Sequence, residues 1–297
     1  MTPSEKPPMK QRFVYSFRRM SALFAVLLSV AAACLAQKGG KASPKQHQGK
    51  TILLPSQMLA GQQATLAVLD AQGRLAPDVA VEFSGGGRVA TDSTGRAIFA
   101  APAPGVLLAH FPGLKENAHA ILLPAAEAGP HELRVTAYAH IASVTDRFEI
   151  SGNGFDGDAA ANRVSLGGKT ALVVAASPLA LTVIPAPDLD VGQSQFVVES
   201  GGHIAGPLPL EMVSLELTAD KTRMAANESG VLTVRVRGSS ERVTVEVRNL
   251  SPNLVALASG VAQQLTTSGG ADNVAQVKLR SLRPGDFSIS ARLVSQR

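Results

Sequence analysis

The chain has 297 residues, 45% of them apolar, 17% charged and only 4% aromatic, with no tryptophan and one cysteine. That length and apolar content are enough for several cores. The shortage of rings argues against sugar-stacking or base-stacking platforms, and a single cysteine excludes an intramolecular disulfide. The net charge of +5 is not spread evenly. Residues 1–50 hold nine Lys/Arg against one acid, leaving a net of −3 on the rest of the chain. Basic charge confined to an N-terminal segment describes targeting, and no basic stripe in the body would track nucleic-acid phosphates.

Arg18 and Arg19 precede an apolar run from Ser21 to Ala36. A basic start, a short apolar stretch and small residues at its end read as a signal peptide over 1–36. The run is shorter than the roughly 18 to 20 residues a spanning helix needs, and an uncleaved anchor is the lesser alternative. Ala31-Ala32-Ala33-Cys34 resembles the acceptor site of a bacterial lipoprotein signal, which implies lipidation of Cys34. The other reading is an ordinary apolar-segment cysteine removed by cleavage near Ala36. Residues 37–50 are polar, carry four lysines and no acid, and read as a flexible basic linker.

From 51 to 137 short apolar runs alternate with turns: Thr51 to Leu54, Ala64 to Leu69, Val79 to Phe83, Ala97 to Phe99, Val106 to Phe111, Ala120 to Leu123 and Leu133 to Val135. Strands at this spacing with Gly/Asp punctuation predict a β-sandwich. Ala64 to Ala100, with its Asp70-x-x-Gly73-Arg74 turn and its Ser93-Thr94-Gly95-Arg96-Ala97 hairpin, resembles bacterial surface Ig-like or carboxypeptidase-regulatory-like domains. His110, His119, His131 and His140 stand nine to twelve residues apart, which does not place two on one face as metal ligation requires, so they read as single surface or packed side chains.

Residues 138–201 predict a second sandwich. A first strand is expected over Val144 to Ile150, with Gly152 and Gly154 supplying positive φ where the chain turns away. Phe155 is expected to fold back over the core. Val164 and Leu166 alternate with Arg163 and Ser165, Gly167-Gly168 make a tight hairpin, and Pro185 and Pro187 stop the strand of Ala180 to Ile184. The runs Phe148 to Phe155, Asn162 to Val174, Leu179 to Pro187 and Gln195 to Gly202 together resemble an IPT/TIG domain, an immunoglobulin-like module. The resemblance implies a β-sandwich of the kind found in surface receptors, adhesins and polysaccharide-acting enzymes as an interaction or spacer unit. The family's usual proline-glycine start is absent before Val144.

Gly152-Asn153-Gly154-Phe155-Asp156-Gly157 also matches G-x-G-x-x-G. A dinucleotide site would need about three helical turns after it, and the next strand begins at Arg163, so no cofactor is expected. Asp156, Asp158, Asp188 and Asp190 offer oxygen ligands for calcium, but no twelve-residue loop closes on a glutamate, and turn-forming acids are the simpler reading.

Residues 208–297 carry the cleanest two-residue alternation, in Val231 to Arg237, Val243 to Arg248, Ala275 to Arg280 and Phe287 to Leu293. One apolar and one wet face predict a third sandwich. The Arg/Glu/Lys ladder on the wet face reads as a solubilising surface, with an acidic-ligand surface as the sharper alternative. Leu282 to Val294 resembles the last hairpin of bacterial Ig-like repeats.

The whole is therefore expected to be all-β, a tandem of three immunoglobulin-like β-sandwich domains behind an N-terminal signal segment. The sequence has no G-x-S-x-G elbow, H-E-x-x-H or P-loop, and a cysteine nucleophile would have to be Cys34 in the export segment. The expectation is a non-enzymatic bacterial cell-envelope or secreted protein with no catalytic, cofactor or metal residues. Its role would be binding, adhesion or structural, its partner an envelope polymer or a surface protein. Nucleic acid is not expected as a partner, and membrane contact is expected only through the signal or a lipid anchor. A carbohydrate-binding accessory protein is the alternative, and an enzyme with an unfamiliar site ranks last.

Overall fold

The computed structural model describes residues 49–114, 118–125, 132–221 and 223–294, which lie within one compact unit, Lys41–Arg297. Among the described residues it is all-β apart from short 3-10 segments such as Ala159–Ala161. The first strands are β1 (Thr51–Leu53), β2 (Gln57–Leu59), β3 (Gln63–Leu69), β4 (Ala80–Phe83), β5 (Arg88–Ala90), β6 (Arg96–Ala100), β7 (Gly105–His110) and β8 (Ala118–Leu123). They are followed by β9 (Arg134–Tyr138), β10 (Ile141–Ser143), β11 (Phe148–Asn153), β12 (Asn162–Leu166), β13 (Lys169–Ser177), β14 (Ala180–Ile184) and β15 (Gly192–Ser200). The last are β16 (His203–Ala219), β17 (Ser229–Arg237), β18 (Thr244–Asn249), β19 (Val255–Leu257), β20 (Ala262–Thr266), β21 (Val274–Ser281) and β22 (Ile289–Leu293).

Three large buried clusters result, each held between sheets in the manner of an immunoglobulin-like sandwich. The first packs β1, β3 and β6 against the five-stranded sheet β2-β8-β7-β4-β5, around Met58, Leu66, Leu107 and Phe111. The second gathers Ile150, Leu166, Leu181, Phe196 and Met212. The third lies between β16-β17-β21-β19 and the three-stranded sheet β20-β18-β22, around Val234, Val245, Val247 and Leu279. In this third region the alternation predicts burial well: Leu232, Val234, Val236, Val243, Val245, Val247, Ala275, Val277 and Leu279 are all buried.

Local chemistry sets the turns. Asp70 and Asp92 head two turns of one design. Each carboxylate accepts the backbone N–H groups two and four residues on, and Gly73 and Gly95 take φ of 76° and 75°. Backbone donors from Arg74 hold the Asp70 carboxyl below its usual range, and the Thr94 hydroxyl does the same for Asp92. Gly167 and Gly168, at φ 54° and 79°, form the two-residue hairpin between β12 and β13, with Leu166 opposite Lys169.

Four features differ from the sequence reading. Val144 to Arg147 is not the start of a strand. Ile141–Ser143 forms its own strand, β10, parallel to β16, and β11 begins at Phe148. Gly152 does not have positive φ: it stays in β11 at a register shift, and a Cβ there would run into the Arg134 carbonyl and the Phe155 ring. It is small because the Phe155 ring folds back over the core at that point, whereas Gly154 does turn the chain, at φ 76°. Leu133 and Val135 pack in the second cluster, since β9 pairs with β11. Finally β16 is a single strand of 17 residues, His203–Ala219, that runs across the gap left between residues 201 and 208.

Candidate functional site

The regions meet at a partly open cavity of about 400 Å³. The first region contributes Ile52 and Leu53 of β1, Leu54 just after it, and the start of β8 (Ala118, His119). The central region contributes Ala139, Ile141 to Ser143, Asp146 to Glu149 and Thr182, and the third contributes Leu293. The apolar floor of Ile52, Leu53, Ile141, Ala142 and Phe148 is buried. The rim is polar. Asp146 and Arg147 form an ion pair at 3.5 Å, and the Asp146 carboxylate also accepts the Arg147 backbone N–H at 2.8 Å. Glu149 holds the far side, accepting the backbone N–H and the hydroxyl of Ser56 at 2.9 and 2.6 Å. Ser143 is buried, and its hydroxyl oxygen accepts the Thr145 N–H at 3.2 Å. A cavity of this size with an apolar floor and a few polar rim groups has the make-up of a small-ligand or side-chain pocket.

Asp146, Arg147 and Leu293 also line a second, smaller cavity of about 250 Å³ with Glu246, Gln264, Arg292 and Val294. There Arg292 forks onto Glu246 with two bonds of 3.1 Å, and Arg248 adds a third at 3.1 Å. The Arg292 guanidinium, foremost, keeps the Glu246 carboxyl below its usual range. Arg235 pairs with Asp272, and Arg237 with Glu216. The wet-face arginines 235, 237, 248 and 292 are thus engaged by acids of their own chain.

The residues singled out in the sequence scatter. His110 lies 3.9 Å from Glu82, and its ring sits against the Phe111 carbonyl at 3.2 Å. The His140 ring meets Tyr138 at a tilt of 60°, with centroids 5.1 Å apart, and His119 is on the cavity rim. Among the described residues no group of three or more His, Cys, Asp or Glu is placed to hold a metal. Asp156 and Asp158 are turn formers: Asp156 accepts the Asp158 N–H at 2.8 Å, and Asp158 caps the 3-10 turn Ala159–Ala161 by accepting the Ala160 N–H at 2.9 Å. That single turn, where a dinucleotide site needs a helix, leads straight into β12. Asp188 pairs with Lys169, whose ammonium lowers its pKa. His131, Cys34, the signal segment 1–36 and the linker up to residue 48 lie outside the described residues. Among the described residues no helix is long and apolar enough to cross a membrane. Sequence reasoning missed the cavity altogether, because its lining residues span 242 positions from Ile52 to Leu293 and share no motif.

The fold and this junction define an all-β protein of immunoglobulin-like sandwiches. No family model and no curated protein matches the chain. Among solved structures it is similar to SGBP-B of the Bacteroides ovatus mixed-linkage glucan utilization locus, in complex with a mixed-linkage heptasaccharide (13% identity, TM-score 0.23, 82% of this chain and 60% of that one). It is also similar to the Yersinia pseudotuberculosis adhesin InvE (16%, TM-score 0.20, 56% and 60%) and to the ICAM-5 D1–D4 ectodomain fragment (17%, TM-score 0.20, 84% and 75%). The chain thus spans about three fifths of the first two.

Proposed function

We propose that this chain is an exported, non-catalytic binding protein of the bacterial envelope, whose central region is an IPT/TIG-type module and whose junction cavity receives a projecting group of its partner. The observation that carries the reading is the cavity itself, a concave apolar floor with the Asp146–Arg147 pair and Glu149 on its rim, contributed by all three regions. The IPT/TIG reading is supported by the order of landmarks: β11, the turn at Gly154, the β12–β13 hairpin, β14 stopping before Pro185, and β15. Export and the choice between a lipid-anchored and a released form rest on the segment around Cys34.

The partner is an envelope polymer or a surface protein. The test is a glycan array and a pull-down from envelope fractions, run beside a hydrolase substrate panel. Capture without turnover is expected, and Arg147→Glu is expected to lower capture about tenfold, in the range of an interface anchor, with unchanged circular dichroism. Turnover of any substrate, or full capture by the variant, would overturn the reading.

A further inference from the structure

The outer face of the central region holds another concave surface, an open groove of about 600 Å³ that shares no lining residue with either junction cavity. Its floor follows from the pleat. Val164, Leu166, Phe196 and Val198 turn inward and are buried, so Ser165 of β12 and Gln193, Gln195 and Val197 of β15 turn outward. Ser165 stands opposite Val197, and Pro209 of β16 stands opposite Gln195. The concavity has two causes. Phe196 opposes Leu208 and Val198 opposes Ala205, so Val197 alone faces both Gly206 and Pro207, a bulge that bends β16. At the hairpin end the Gly167-Gly168 turn closes on Ser194, so that a Cβ on Gly167 would lie 2.9 Å from the Ser194 hydroxyl.

The lining is uncharged. Val191 to Val198 and Ile204 to Leu210 contain no Asp, Glu, Lys or Arg. The charges at its margins are spent within the chain: Lys169 on Asp188, Arg163 on Glu199, and Glu211, opposite Gln193, on the Ser239 hydroxyl at 2.9 Å. In contrast, the side chains of Ser165, Gln193, Ser194 and Gln195 make no hydrogen bond to any other described residue. Amides and hydroxyls both donate and accept, and these surround the hydrocarbon of Val197, Pro207 and Pro209. The main chain offers a partner nothing here. β15 is paired with β12 on one side and β16 on the other, and Pro207 and Pro209 put no N–H on the β16 edge. A phosphate or carboxylate would find no cation among the lining residues, and an ammonium no acid.

We propose that this groove binds a neutral saccharide chain. Its hydroxyls take the amides of Gln193 and Gln195 and the hydroxyls of Ser165 and Ser194, while its C–H faces lie on Val197, Pro207 and Pro209. A sugar hydroxyl donates and accepts at once, which matches an amide and hydroxyl set that holds no charge. No ring platform takes part, in keeping with an aromatic content of 4%. Affinity therefore rests on neutral hydrogen bonds over an open surface and is of about millimolar strength. A contact that weak is lost in the washing of a capture assay, because its residence time is short. Capture thus reports the junction cavity and equilibrium titration reports the groove, so either can fail without the other.

The test is an amide chemical-shift titration of the full chain with cellotetraose, mannotetraose and xylotetraose, beside tetragalacturonic acid and a capped tetra-alanine peptide. At least one neutral tetrasaccharide is expected to shift the amides of Ser165, Gly167, Gly168 and Gln193 to Val197 in a saturable way. The anionic saccharide and the peptide are expected to shift none of them. Gln193→Ala and Gln195→Ala remove exposed side chains that the fold does not use. Each is expected to weaken binding about fivefold, the worth of one neutral hydrogen bond, with unchanged circular dichroism. Arg147→Glu is expected to bind as the wild type does. Silence with all three neutral saccharides, shifts centred on the junction cavity, equal shifts with the peptide or the galacturonate, or glutamine variants that bind as tightly as the wild type would each overturn the proposal.

Discussion

The two seams of the molecule are built differently. Where the first region meets the central one, β3 pairs with β13 only at Thr65 opposite Ala176 and otherwise fits against it through side chains. β3 is buried on both faces: Ala64, Leu66 and Val68 enter the first core, while Ala67 and Leu69 meet Leu53, Val174 and Ala175 in a fourth cluster. Polar contacts fix the register. The Thr65 hydroxyl donates to the Gly157 carbonyl at 2.6 Å and accepts the Ala159 N–H at 3.1 Å, and Arg96 donates to the Val173 carbonyl at 2.8 Å. Where the central region meets the third, one strand belongs to both. Met212 of β16 faces the second core, and its neighbour Val213 faces the third. The parallel strand β10 divides its residues likewise, with Ile141 in the third core and Ala142 in the second. The first seam rests on close fit, whereas the second is covalently continuous and shares its wall. Single-atom changes should therefore expose the first seam and spare the second.

The largest expected effect is at Gly157, where a Cβ would strike the Gln63 backbone carbonyl. Gly157→Val should cost about 3 kcal/mol, the upper part of the range for overpacking. Calorimetry should then show the first region melting apart from the rest, and an unchanged single transition would mean that the seam yields more easily than argued. Thr65→Val keeps the shape but strands two buried backbone groups, for a loss of about 2 kcal/mol, read as a lower denaturant midpoint.

The smallest effect is expected beyond the second seam. Glu246, 9% exposed, is held by Arg292 and Arg248, whose side chains are each 52% exposed. After discounting for that exposure, Glu246→Gln should cost about 1 kcal/mol. Because its folded pKa is depressed, this contribution is present above the unfolded carboxylate pKa and disappears as pH falls through the lowered folded value. Melting curves of wild type and variant should therefore converge in acid and differ at neutral pH. A gap that persists in acid would assign the loss to packing instead.

Much of the third region was legible in the sequence because each of its strands has one wet face, so polarity alternates with the pleat. The seam strands did not announce themselves. β3 is apolar on both faces, and a short apolar run looks the same whether it lines one core or two. β10 is three residues long, and its parallel partner lies about 70 residues away, as Ser143 opposite Val213 shows. The two D-x-x-G-R turns were readable from their residues, since Asp and Gly act there within a few positions.

The sequence by itself therefore determined the all-β class, the turn chemistry and the wet faces, all of which follow from interactions between near neighbours. Only the tertiary structure decided which strands close one core and which join two, and that Ile52, His119, Arg147 and Leu293 line one cavity. Those outcomes depend on contacts between residues far apart in the chain, and no local pattern encodes them.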